Sequence, residues 1–195
     1  MKNPLTLIKT HKPLAALLVL PLLATSLQTY AAIKTWDGGG RDNFWLNRTN
    51  WNAKTAPAAG DLLIFSGTTR LNNTNDFTPG TGFTGISFLS AAGTYSLFGN
   101  GIALNGNLTN NQPVLTETIA LPLSLSSTRT ANIGASASLT LAAEVSGASP
   151  GLAKIGAGRL TLAASNSFGG GLTLDAGTVS ISNDNNLGAL PGVAT

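Results

Sequence analysis

Eight carboxylates, Asp37, Asp42, Asp61, Asp76, Glu117, Glu144, Asp175 and Asp184, are the groups in this chain that could do acid–base work. Cleavage of a glycosidic bond generally takes two carboxyl groups, one on each side of the bond. No two of the eight stand in a D-x-D spacing, which would put both on one face of a strand. Enzymatic attack on a polysaccharide therefore stays an alternative reading, and no catalytic residue is assigned. Asn183-Asp184-Asn185-Asn186 offers oxygen ligands at alternate positions, but a calcium loop of the EF-hand type needs more carboxylates and a terminal bidentate Glu. It reads as a turn, and no metal or cofactor is expected. Trp36-Asp37-Gly38-Gly39-Gly40 lacks the Gly-Lys-Ser/Thr that would make it a phosphate loop. Trp36, Trp45 and Trp51, with Phe44, offer a second kind of chemistry, because aromatic faces pack on the apolar faces of sugar rings. They are the candidate ligand-binding residues, with cell-surface or extracellular polysaccharide as partner. The competing reading makes the same aromatics a cover for the end of a core.

The N-terminus narrows these options. Met1 to Pro13 carries Lys2, Lys9 and Lys12 and no acid, and an apolar run from Leu14 to Ala24 follows. A basic start, a short apolar centre and small residues near the exit describe a secretory signal peptide. The run falls short of the roughly 20 residues that span a bilayer, although an uncleaved anchor is the alternative. Thr29 and Ala31 supply small residues at −3 and −1, so cleavage is expected after Ala31, with Ala32 starting the mature chain. A cut after Ala32 would put bulky Tyr30 at −3. The only histidine, His11, leaves with the leader, and the chain has no cysteine. Ser-His-Asp and Cys-His catalysis are thereby excluded from the mature chain, as are imidazole or thiolate zinc sites and disulfides. The net charge of +3 also leaves with the three leader lysines, since eight Lys/Arg then face eight Asp/Glu. With no basic cluster, nucleic acid is not expected as a partner. The mature chain has no membrane span, and its expected location is exported: secreted, on the cell surface or associated with the outer membrane.

The elements that position these residues are short. Residues 32–98 hold every Trp and six of the seven Phe, whereas 99–195 has Phe168 alone. Asp61–Gly67, Gly85–Ala91 and Thr94–Asn100 read as strands, and the later zone alternates apolar with small polar residues between glycines. No segment holds a 3.6-residue period over three turns, so essentially no helix is expected. Leu139-Thr140-Leu141-Ala142-Ala143 recurs as Leu160-Thr161-Leu162-Ala163-Ala164 and, altered, as Leu172-Thr173-Leu174-Asp175-Ala176. A period near 21 residues points to stacked units that bury their apolar side only against one another. The expected fold is all-β, a right-handed parallel β-helix with an aromatic-rich N-terminal cap. Leu160 and Leu162 then point inward, and corners fall at Gly169–Gly171 and Gly177. An antiparallel sandwich is the alternative.

Residues 151–189, GLAKIGAGRLTLAASNSFGGGLTLDAGTVSISNDNNLGA, resemble the autotransporter-associated β-strand repeat. Lys154, Gly156, Gly158, Leu160, Leu162, Asn166, Phe168, Gly170, Gly171, Gly177 and Val179 stand at its characteristic positions. The front, TWDGGGRDNFWLNRTNW with GDLLIFSGTTRLNNTND, is similar to the start of long bacterial surface proteins that carry many such repeats. The resemblance implies an exported structural or adhesion-type passenger segment, without catalysis, divided into a leader (1–31), an aromatic-rich cap with first coils (32–98) and β-helix coils (99–195). A carbohydrate-binding module is the alternative. Relatives run on through many repeats to a β-barrel translocator or sorting signal, whereas here one complete repeat is present. The last coil is therefore expected to lack a cap and to invite self-association through its strand edge.

Overall fold

The computed structural model describes residues 31–189; the leader, apart from Ala31, lies outside them. The chain begins with β1 (Ile33–Trp36) and then runs through an irregular loop holding two short 3₁₀ turns, Arg48–Asn50 and Asn52–Lys54. From there it winds through five three-strand turns. These are β2 (Leu62–Phe65), β3 (Asn72–Asn75) and β4 (Thr81–Phe83); β5 (Gly85–Phe88), β6 (Ser96–Gly99) and β7 (Ile102–Leu104); β8 (Leu108–Asn110), β9 (Thr116–Ile119) and β10 (Leu123–Leu125); β11 (Arg129–Ile133), β12 (Ser138–Leu141) and β13 (Val145–Gly147); and β14 (Leu152–Ile155), β15 (Arg159–Leu162) and β16 (Ser167–Phe168). A partial turn follows, with β17 (Leu172–Leu174), β18 (Thr178–Ile181) and a 3₁₀ turn at Asp184–Leu187.

β1 stacks on β2, and from β2 on every third strand stacks on its equivalent, which gives three sheets. The first is β1-β2-β5-β8-β11-β14-β17, the second β3-β6-β9-β12-β15-β18, and the third β4-β7-β10-β13-β16. All ladders between these strands are parallel, which removes the sandwich alternative and establishes a parallel β-solenoid. Leu139 pairs with Leu160, and Leu141 with Leu162, in the register that the repeated Leu-Thr-Leu requires. All four are buried, and Thr140 and Thr161 between them are not. Each piece is short because it is one wall of a coil. Among the described residues no α-helix occurs, and no helix is long and apolar enough to cross a membrane.

The core is a set of ladders that run along the stack. Trp36, Phe65 and Phe88 occupy one inward row of the first sheet, and Asn110 and Ile133 continue it. The parallel row reads Leu63, Ile86, Leu108, Ala131, Lys154 and Leu174. Corners need tight backbone. Gly177 has a φ of +77°, and a Cβ there would strike the Gly158 carbonyl one coil below.

Candidate functional site

The tryptophans proposed to meet sugar have no exposed surface at all. Trp51 lies edge-on to both Trp36 (centroids 5.2 Å apart) and Trp45 (6.2 Å), and all three rings reach Phe65 within 6.3 Å. Phe65 stacks on Phe88 of the next coil, and Tyr95 meets both. The indole N–H groups are also used inside the protein. Trp45 Nε1 donates to Asn73 Oδ1 at 2.6 Å, Trp51 Nε1 to the Trp45 carbonyl at 2.7 Å, and Trp36 Nε1 to the Thr69 carbonyl at 3.3 Å. The expectation of a sugar platform at Trp36, Trp45 and Trp51 is therefore corrected. Alternating inward positions and the loop that folds back over Phe65 turn these rings into the first coil. Phe44, by contrast, is exposed, on a bridge to Thr74.

The loop between β1 and β2 is built on amide and carboxylate side chains. Asp42 accepts from the Phe44 N–H, from Asn47 Nδ2 at 3.0 Å and from Asn50 Nδ2. The Asn47 bond, foremost, and the Phe44 N–H hold the Asp42 carboxyl below its ordinary range. Buried Asn50 also accepts from the Gly40 N–H and donates to the Asp42 and Phe44 carbonyls. A side chain on Gly40 would occupy the place of the Asn50 amide oxygen, which is why the glycine run sits there.

The other carboxylates are mostly taken up in the same way. Asp61 accepts the Ala32 and Ala58 N–H groups, Asp76 the Leu46 N–H, and Glu144 the Ser167 hydroxyl. Asp37 accepts the Gly39 N–H and pairs with Lys54 at 3.1 Å, the one ion pair among the described residues. That pair is about half exposed, so it contributes roughly 0–1 kcal/mol. Among the described residues no group of three or more His, Cys, Asp or Glu is placed to hold a metal ion.

Glu117 is different. It is fully buried in an inward row beside Leu139, with Leu160 and Val179 beyond. Its Oε2 accepts the Tyr95 N–H at 2.5 Å, and its Oε1 has no partner. Burial raises its pKa to about 7 against the pull of the Tyr95 bond. Nothing in the local sequence distinguished it from the other carboxylates; only the register of β9 against β12 turns it inward.

Lys154 is also fully buried and replaces an aliphatic side chain in its row. Small Ala131 next to it leaves room for the lysine stem. The ammonium donates to the carbonyls of Ile155 (2.9 Å), Gly156 (2.7 Å) and Ala176 (3.1 Å), tying its own corner to that of the following coil. Burial lowers its pKa. Asn166 works similarly at another corner: its Oδ1 accepts the Val145 N–H of the coil before, and its Nδ2 donates to the Asn186 carbonyl of the coil after. Asn186 in turn donates to the Ala164 carbonyl and accepts from the Ser182 and Asn183 N–H groups. Asp184 and Asn185, considered for calcium, belong to this corner turn. At the far end Leu174 and Ile181 are exposed, and Leu172 and Val179 are only partly buried.

Residues 152–181, which run from β14 through β18, match the family described as Passenger-associated-transport-repeat. The matched segment includes the Lys154 corner and Asn166. No curated protein matches the chain, and neither does any solved structure.

Proposed function

We propose that this chain is the front of an exported passenger: a stiff rod of stacked coils that projects from the cell, presents its loops for adhesion and carries out no catalysis. The observation that carries this reading is the continuity of register. The passenger-type repeat at 152–181 forms the last full turn and partial turn of one parallel stack, paired strand for strand with the coils before it. A solenoid whose polar side chains are used to hold corners gives a mechanical element. Leu174 on β17 and Ile181 on β18 are large exposed apolar side chains, and this supports self-association through that coil.

The test is location and resistance. Washed cells would be treated with protease and the products identified by mass, alongside the culture medium. A resistant fragment spanning the coils, either on the surface or in the medium, is the expected result. Recovery from the cytoplasm, or complete digestion under conditions that leave the cells intact, would end the proposal. Concentration-dependent sedimentation of the purified exported protein checks the self-association.

A further inference from the structure

Asp61 is a buried carboxylate, 4% exposed, at the entrance to β2. Its Oδ2 accepts the Ala58 N–H at 2.8 Å, and its own N–H closes the turn onto the Ala58 carbonyl at 3.1 Å. Its Oδ1 accepts the Ala32 N–H at 2.9 Å. No cation reaches it: among the described residues Lys54 pairs with Asp37, and the Lys34 ammonium donates to the Thr55 hydroxyl. An ionised carboxylate taken out of water calls for a counter-charge as well as hydrogen bonds. Ala32 is itself fixed, since its carbonyl accepts the Leu62 N–H at 2.8 Å, yet its side is open to solvent.

We infer that the Ala31–Ala32 bond is the maturation site and that the α-ammonium it releases is captured by Asp61, which locks the first residue of the mature chain onto the first coil. Water adds across the Ala31 carbonyl carbon under the action of a signal peptidase. The C–N bond breaks, the leader keeps the carboxylate, and the Ala32 nitrogen takes up protons to become an ammonium. That nitrogen already sits at hydrogen-bond distance from Oδ1, so the mature chain replaces an amide donor with a charged one in place. The geometry selects this bond independently of the small-residue rule. A cut one residue later removes the nitrogen that Asp61 holds, and a cut one residue earlier leaves it an uncharged amide.

The inference rests on export through a cleaved leader, and the test separates the two. The exported protein is purified, its N-terminus is read from intact mass, and the α-amine is titrated. Its acetylation rate would be followed by mass spectrometry of the N-terminal peptide between about pH 6 and 10. The expected result is a chain starting at Ala32 whose amine titrates about one pH unit above the ordinary range of about 7.7–8.0, and Asp61→Asn brings it back. The wild-type titration stands alone should Asp61→Asn fold poorly. A chain that starts at Ala32 with an ordinary amine overturns the capture and leaves export standing. A chain that starts anywhere else, or keeps its leader, overturns the inference outright.

Discussion

Glu117 is the place where the fold and the ionisation of a single side chain are most directly opposed. The folded protein holds the Glu117 proton up to about pH 7, whereas the unfolded chain releases it near the ordinary 4.5. Between those values the folded state binds more protons, so stability falls as pH rises through this window. The contribution is fully present below about pH 4.5 and is lost above about pH 7. The separation converts to about 3 kcal/mol. Glu117→Gln removes the titration but keeps an oxygen to accept the Tyr95 N–H. Urea unfolding of both proteins between pH 4.5 and 8.5 is the assay, with the difference between the two curves cancelling every other titrating group. The wild type is expected to lose about 3 kcal/mol relative to the variant across that range and to be the less stable protein at pH 8. Glu117→Leu provides the control for the hydrogen bond: it too abolishes the pH dependence, but it strands the Tyr95 N–H at roughly 1–3 kcal/mol at every pH. Parallel curves for wild type and Glu117→Gln would refute the reasoning, because they would mean that Glu117 meets the same environment folded and unfolded.

Two further substitutions test the aromatic and lysine sites. Trp45→Ala is expected to destabilise by about 3–5 kcal/mol and to weaken the near-ultraviolet circular dichroism, since the ring is fully buried among Trp51, Phe65 and Phe83. A stable, folded variant would contradict the packing role. Lys154→Met keeps the stem and removes the donor to three carbonyls, so a loss of about 2 kcal/mol is expected, with faster amide exchange concentrated around residues 155–158 and 175–178. An unchanged unfolding midpoint would show that those carbonyls find water instead.

The repetitive coils were legible because their inward positions are aliphatic: Leu-Thr-Leu at a spacing of 21 is both the pattern and the register of β12 on β15. Asn72–Asn75 was not legible as a strand. Four polar residues, three of them Asn with poor strand propensity, give no alternation to read. They form β3 because Asn73 and Asn75 point inward and find partners there, Asn73 in the Trp45 indole N–H and Asn75 in the Asn100 carbonyl and the Phe77 N–H. The tryptophans were visible as a cluster, but their exposure was not. The loop that turns them inward is held by Asp42, Asn47 and Asn50; Asp42 and Asn47 each accept the N–H two residues on, which marks a local turn but not the direction in which the loop folds. Glu117 escaped for the complementary reason. One charged residue in a strand reads as solvated until a neighbouring strand fixes which face it occupies.

Those failures share a cause that also explains the composition. A solenoid without disulfides has to stop each coil from sliding on or peeling from the next, and aliphatic ladders alone are poor at this because their contacts are non-directional. Here the directional ties are buried polar side chains at corners and in inward rows. Asn75 binds the coil after it, Asn110 the Ser138 carbonyl, Gln112 the Ala92 carbonyl, Asn166 the coils on both sides, and Lys154 the corner that follows. Each is removed from solvent, so a slip of one coil breaks bonds that water cannot replace. The abundance of Asn is in part a record of those ties, not of flexible loops alone. Two positions of the repeat that no hydrophobic pattern would predict, Lys154 and Asn166, are buried and reach across to a neighbouring coil.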